Sequence, residues 1–492
     1  MLIGLDVGRS GARALAIDEA GAVLASAWAG YGTSNPRPGW AEQDPRDWWA
    51  AAEDVLGRVV AAARRQGGEV RALGLSGQMG GAVFLDRRGD VIRPALVEGD
   101  LRSQRQCEEI GALLGAERFA EIAGSALVTD SQAAKILWLR DVEPVQYRHV
   151  RRVLLPKDYV RLRLTGEVAT DASDASGTLL LDLKRRAWSD VIIGALGVLP
   201  DWLPSVSESA VITGGLRPSV AADLGLPGGL PVAAGAGDAA AAAVGAGVST
   251  SGLISSAIDG GGRLMAHRAG FDADPSGVLR VLCSAVPGRY LEVASTPAAG
   301  RAFDWWGDVL GGVDSGELMA SAEAIAPGAD GLYFLPSFNL EGTSRGAFIG
   351  LRADHRREHL TRALIEGVLF NLREGLDCLR ARGADVRRVR AVGSRARTEL
   401  WCRVAADVFN LPVETTLVDD AATVGAALLA GVAGGMFADV AAASAAGVRV
   451  ERVFEPAADR AARYGQMVHT YRALSLATGG STAGRMATAL PR

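Results

Sequence analysis

Residues 2–18, Leu-Ile-Gly-Leu-Asp-Val-Gly-Arg-Ser-Gly-Ala-Arg-Ala-Leu-Ala-Ile-Asp, read as a strand, a glycine turn and a returning strand. An acid, Asp6, sits where the first strand meets the turn. A buried hairpin of this kind starts a sheet. The amides from Gly8 to Gly11 can also form a concave donor surface for phosphate oxygens. Asp6 beside that surface can hold a magnesium ion, directly or through water. The two readings, a plain sheet hairpin and a phosphoryl-transfer device, stay open on this segment alone, because short motifs recur by chance.

At 492 residues the chain is too long for one core, which predicts two large domains. Apolar residues make up 49%, so burial is not limiting. A net charge of −4 argues against a nucleic-acid partner, which calls for a basic surplus. The only lysines are Lys135, Lys157 and Lys184, none of them in a glycine-rich loop, so a P-loop is excluded. Cys107, Cys283, Cys378 and Cys402 are too scattered for a zinc site or a disulfide framework and read as small buried hydrophobes. Asp6 and Arg9 interrupt the N-terminal apolar stretch, which excludes a signal peptide. The most apolar long segment, Thr423 to Ala438, is shorter than a membrane span. These features predict a soluble, cytoplasmic protein with no membrane partner.

Further along, Gly21 to Trp28 is another alternating strand, and Asp44-Pro45 opens a helix to about Arg65, with Asp44 as N-cap. Val70 to Leu75 is a buried strand with the loop Ser76-Gly77-Gln78-Met79-Gly80-Gly81 at its carboxyl end, where ligands bind in open α/β sheets. Val232 to Asp238 reads as a second strand ending in an acid. Gly252 to Met265 reads as a second hairpin with Gly260-Gly261-Gly262 at its turn, a weak internal duplication of the opening plan. His359 to Arg380 is an amphipathic helix, and Val389 to Val392 a strand followed by the loop Gly393-Ser394-Arg395-Ala396.

Several separated segments resemble the FGGY family of carbohydrate kinases. They are Asp6-Val7-Gly8-x-Ser10-Gly11, Gly39-Trp40-Ala41-Glu42-Gln43-Asp44-Pro45, Ser76-Gly77-Gln78-Met79, Asp100-x-Arg102, Pro156-Lys157-Asp158-Tyr159, Ser173-Asp174-Ala175-Ser176-Gly177-Thr178, Gly237-Asp238 and Phe348-Ile349-Gly350-Leu351. Their order and spacing from residue 2 to about 435 carry the resemblance. It implies an α/β fold of two ribonuclease-H-like domains of the actin and hexokinase type with a cleft between them. The first would span residues 1–230 and the second 231–476, with a disordered tail over 477–492. It also implies transfer of the γ-phosphate of ATP, with Mg2+, to a hydroxyl of a ketopentose such as D-xylulose or a related sugar or polyol. Such a chain is compatible with a homodimer.

Carried over residue by residue, the resemblance makes Asp238 the general base and Asp6 the acid near the metal. It puts Gln78, Met79, Gly80, Asp100 and Arg102 around the sugar, with Arg102 able to hold its loop by ion pairing. Phosphates and nucleotide would meet Gly8, Arg9, Ser10, Gly11 and Arg13 in the first turn, Gly260 and Gly261 in the second, and Gly393, Ser394 and Arg395 in the adenosine loop. The sequence departs from the family at several of these positions. Arg9 replaces threonine, Arg13 lysine, Gly80 histidine, Gly99 asparagine and Ala239 asparagine. Asp259-Gly260-Gly261-Gly262 replaces Gly-Thr-Ser-Gly, Gly393-Ser394-Arg395-Ala396 replaces Gly-Gly-Gly-Ala, and the substrate-side segment is shortened to Asn339 through Arg345. Arg9 can bind phosphate, or fill the phosphate site and pair with Asp6 or Asp259. Two functions follow: an active sugar kinase with altered contacts, or a relative that binds a sugar or a partner without phosphoryl transfer.

Overall fold

The opening segment forms the expected hairpin. Strand β1 (Leu2–Val7) pairs antiparallel with β2 (Gly11–Ile17), which pairs with β3 (Val23–Gly30). On the other side β1 runs parallel to β4 (Ala72–Gly77). The sheet continues through β5 (Ile212–Gly215) and β6 (Pro231–Ala233) in the order β5-β6-β4-β1-β2-β3, and β7 (Ala236–Gly237) also pairs with β4. The computed structural model describes residues 1–274, 276–296, 298–336, 345–393 and 395–478. The expectation for the tail therefore falls, beyond residue 478, outside the described residues.

Helix α1 (Pro45–Arg64) begins as its sequence predicts: Asp44 accepts from the Arg46 amide at 2.9 Å, and Pro45 needs no partner for a missing N–H. Trp48, Val55, Leu56 and Val59 lie on one buried face of α1, in the same core as Ile3, Leu5 and Val7 of β1. Full burial of side chains of this size stabilises by roughly 1.5–3 kcal/mol each.

The segment Val232 to Asp238 is not one strand. It breaks at Ala234-Gly235, where Gly235 adopts φ +71° and a Cβ would stand 1.9 Å from the Leu75 carbonyl. Asp238 is consequently the first residue of helix α2 (Asp238–Gly245) rather than the last of a strand.

Two compact units interleave along the chain. One comprises Met1–Ser249, Arg268–Leu291 and Asp420–Arg449, and the other Thr250–His267, Glu292–Asp419 and the described residues from Val450. The boundary read from the sequence lies at residues 230 and 231.

The second unit repeats the plan of the first. Its hairpin β8 (Gly252–Ile258) and β9 (Gly262–Arg268) is antiparallel, and β8 runs parallel to β11 (Val386–Val392). With β10 (Tyr290–Thr296), β12 (Val413–Thr416) and β13 (Val450–Phe454), the order is β10-β9-β8-β11-β12-β13. Helix α3 (Gly300–Val309) follows β10, and the long amphipathic helix α4 (Arg357–Ala381) precedes β11.

Helix α5 (Ala421–Ala433) belongs to the first unit, although it lies late in the sequence. It packs directly on β1 and β4: a Cβ at Gly4 would stand 2.0 Å from the Thr423 carbonyl, and one at Gly74 2.0 Å from that of Ala426. Only glycine permits that approach, and it brings the N-terminus of α5 to the sheet. All four cysteines are buried. No described helix is long and apolar enough to cross a membrane.

Candidate active site

Register assembles the acids of the first unit. Asp6 on β1 stands opposite Ser76 on β4, and Gly237 on β7 stands opposite Gly77, so Asp6 and Asp238 lie at the carboxyl ends of the two parallel strands that flank β4. Ligands bind at that end of an α/β sheet. Asp6 Oδ2 lies over the turn: a Cβ at Gly8 would be 3.1 Å from it. Its Oδ1 is buried with no hydrogen-bond partner. Burial first, and then the Asp420 and Asp238 carboxylates, push the Asp6 carboxyl up to about 7 against the opposing pull of the Ser76 hydroxyl and, more weakly, of Arg13.

Asp238 Oδ1 accepts from the Ala239 amide at 2.7 Å, at a helix N-terminus that favours negative charge. Behind it the Gly237 amide donates to Ser173 Oγ at 3.1 Å. Ser173 in turn belongs to a wholly buried group in which Lys157 Nζ lies 2.8 Å from Asp158 and 2.9 Å from Asp171. Met79 packs across the same strand end, 3.0 Å from where a Gly237 Cβ would stand.

The first turn is closed by Gly8 N donating to the Gly11 carbonyl at 3.1 Å. Three side chains brace it from outside. Tyr31 Oη donates to the Gly8 carbonyl at 2.6 Å, Gln43 Nε2 to the Arg9 carbonyl at 2.7 Å, and Gln78 Nε2 to Gly8 at 3.2 Å and to Gln43 Oε1 at 2.9 Å. Gln78 therefore spends its amide nitrogen on the turn, while its Oε1 is buried without a partner. Ser10 is exposed at the tip.

Arg9 is also exposed. Its guanidinium lies beside Gly99, 3.2 Å from where a Cβ would stand, and forms no ion pair with Asp6. Arg13 points elsewhere: its Nε is 3.1 Å from Asp420, the N-cap of α5.

Asp100 and Arg102 form a buried pair. Asp100 is fully buried and accepts from the Ala41 amide at 2.7 Å and from Arg102 Nη2 at 2.6 Å. Arg102 reaches on to Glu42 at 2.7 Å and stacks on Trp40 with its Cζ 3.7 Å from the ring centroid. Arg102 thus holds its loop by ion pairing, and Asp100 is enclosed by its own neighbours. At Gly80, φ is +73° and a Cβ would be 2.6 Å from the Asp130 carbonyl. Buried Lys135 fixes that arrangement, donating to Gly80 at 2.8 Å, Val97 at 3.1 Å and the Asp130 carboxylate at 2.8 Å.

In the second unit the turn Asp259–Gly262 is closed by Asp259 N to the Gly261 carbonyl at 2.9 Å. Asp259 Oδ1 lies 2.9 Å from where a Gly393 Cβ would stand, and its other oxygen is 3.6 Å from Arg263. Arg395 is tied within its own unit, to the Gly300 carbonyl at 2.6 Å and Asp304 at 2.7 Å. Ser394, and Asn339 to Ser344 of the shortened segment, lie outside the described residues.

Asp420, Gln43, Tyr31 and Lys135 are additions that the sequence did not point to. For Asp420 a signal exists: Asp420-Ala-Ala-Thr423 before an apolar run is an N-cap pattern. A buried, partnerless oxygen on Asp6 among other acids fits a divalent cation. Among the described residues no group of three or more His, Cys, Asp or Glu side chains is arranged to hold a metal. Magnesium needs only one or two carboxylates and fills its sphere with water and phosphate.

Residues 1–245 match the FGGY family of carbohydrate kinases, N-terminal domain, and residues 272–434 its C-terminal domain. The xylulose kinase of Escherichia coli (strain K12) is 36% identical over 440 residues, 88% of this chain and 90% of that protein. That of Lactococcus lactis is 33% identical over 482 residues, 96% of this chain and 95% of its own. Among solved structures, a xyloylose kinase from Brucella ovis superposes with a TM-score of 0.90 at 32% identity, covering 97% of this chain and 99% of that one. A xylulose kinase from Rhodospirillum rubrum gives 0.89 at 29%, covering 97% and 98%.

Proposed function

The chain belongs to the FGGY family of carbohydrate kinases, and on that premise we propose that it transfers the γ-phosphate of ATP to a hydroxyl of a ketopentose, with D-xylulose the first candidate. The substrate comes from the names of its relatives. The observation that carries the reaction is the register that brings Asp6 and Asp238 to the carboxyl ends of the two strands flanking β4.

Asp238 is the general base. Held by the Ala239 amide, its carboxylate orients the attacking hydroxyl and takes the proton as the new O–P bond forms. The bond between the γ-phosphorus and the β,γ-bridging oxygen breaks, and ADP leaves. The braced turn at Gly8–Gly11 presents amides to phosphate oxygens, and the turn at Gly260–Gly261 does the same in the second unit. Asp6 would hold magnesium, which offsets the charge on the transferred group. Gln78 Oε1, buried and without a partner, is the acceptor offered to a sugar hydroxyl. Asp100 and Arg102 support that wall through their ion pair.

The positions of the two altered arginines support an active kinase. Arg9 leans on Gly99 without neutralising Asp6, and Arg395 is folded onto Gly300 and Asp304. Titration calorimetry with ATP and magnesium, followed by a coupled assay of ADP release over pentuloses and polyols, tests the reading. Binding of nucleotide with turnover of D-xylulose is expected. Sugar binding with no nucleotide binding and no turnover would instead establish the non-phosphorylating relative.

A further inference from the structure

We propose that Arg301 is a nucleotide phosphate-contacting residue, supplying from a side chain the donors that the second turn lacks. The inference rests on the proposed role of Gly260–Gly261 in holding nucleotide phosphate.

Asp259-Gly260-Gly261-Gly262 carries no hydroxyl, so only its amides face a phosphate. Arg301, the second residue of α3, is stitched to this turn. Its own amide donates to the Gly260 carbonyl at 2.9 Å, and that of Ala299 donates to the same oxygen at 3.2 Å. From there the side chain returns across the turn. A Cβ at Gly260 would stand 3.3 Å from Arg301 Nη2 and 3.4 Å from Nε, so the guanidinium lies on the glycine surface and glycine makes the room for it.

The surrounding charges leave this cation unspent. Asp304, three residues on, is the natural helical partner for Arg301. Arg395 takes it instead at 2.7 Å, together with the Gly300 carbonyl at 2.6 Å. Asp259 pairs with Arg263 at 3.6 Å. Among the described residues Arg301 itself has no ion pair or hydrogen bond from its guanidinium, and it is exposed. An exposed guanidinium laid on a phosphate-binding turn, with its nearest carboxylates engaged elsewhere, presents a bidentate fork to a phosphate.

The test compares the intact wild-type chain with Arg301→Ala and Arg301→Lys, each titrated with ADP and separately with adenosine, after thermal melts show equal folding. Loss of one charge-assisted contact predicts ADP binding weakened about 10- to 100-fold in Arg301→Ala. Arg301→Lys retains part of the affinity, because the charge stays and the fork is lost. Adenosine, which has no phosphate, binds all three proteins alike. Unchanged ADP affinity in Arg301→Ala, or an equal loss for adenosine, overturns the inference and leaves the kinase reading intact. A wild-type chain that binds neither ligand overturns the kinase reading itself.

Discussion

The Arg13 guanidinium meets the Asp420 carboxylate at 3.1 Å, pairing a residue of the opening hairpin with the cap of a helix more than four hundred positions away. Burial first, and then the Asp420 carboxylate, raise the Asp6 carboxyl, while Arg13 opposes them only weakly. Arg13 is engaged by Asp420, and Asp6 keeps a buried oxygen with no hydrogen-bond partner.

Asp6 therefore gives the metal-free protein a pH-dependent stability. Its carboxyl is pushed up to about 7 by burial and by the Asp420 and Asp238 carboxylates, whereas in the unfolded chain it titrates near its ordinary value of about 4. Between those values the folded state holds a proton that the unfolded state has lost. The stability owed to Asp6 therefore falls as pH rises from about 4 through about 7. In chelator, Asp6→Asn should exceed wild type above pH 7 by up to about 4 kcal/mol, with the gap closing toward pH 4. Thermal melts of both proteins from pH 4 to 8 measure this, and parallel curves would contradict it.

Restoring the family's histidine at position 80 should damage the protein rather than improve it. The position has φ +73°, and any Cβ would meet the Asp130 carbonyl at 2.6 Å. Gly80→His is expected to cost roughly 2 kcal/mol or more and to bring no gain in sugar affinity. Denaturant unfolding and sugar titration check both parts.

Removing one partner of the buried Asp100–Arg102 pair should cost more than removing both. Arg102→Met strands a carboxylate that is fully buried, at about 3–5 kcal/mol. Adding Asp100→Asn recovers part of that loss. A double-mutant cycle in urea measures the coupling, and strictly additive effects would show that the pair does not support this wall.

Much of the fold was legible because its signals are local. The hairpin Leu2–Ile17, the Asp44 cap and the second hairpin Gly252–Arg268 each follow from neighbouring residues. The family resemblance, carried by order and spacing, was borne out as well. What escaped depends on distant packing. Asp420 reads as a helix cap, yet only the close approach of Gly4 and Gly74 to α5 brings it to Asp6. Gln43 and Tyr31 brace the first turn from other strands and loops. The directions taken by Arg9, Arg301 and Arg395 were equally hidden, since a long side chain is placed by what the fold packs beside it: Gly99 for Arg9, Gly260 for Arg301, and Asp304 with the Gly300 carbonyl for Arg395. The break at Gly235 was missed because a positive φ inside an apolar run leaves little local trace.

The most direct test of the account is ADP release with D-xylulose and ATP-magnesium, measured for wild type and Asp238→Asn beside titrations of sugar. Wild type should turn over. The variant should lose about 10²- to 10⁴-fold in kcat, the span of general-base catalysis, while its sugar affinity and melting temperature stay close to wild type. A variant that turns over at the wild-type rate would remove Asp238 from the role of base. A wild type that binds ATP and D-xylulose yet releases no ADP would contradict phosphoryl transfer altogether.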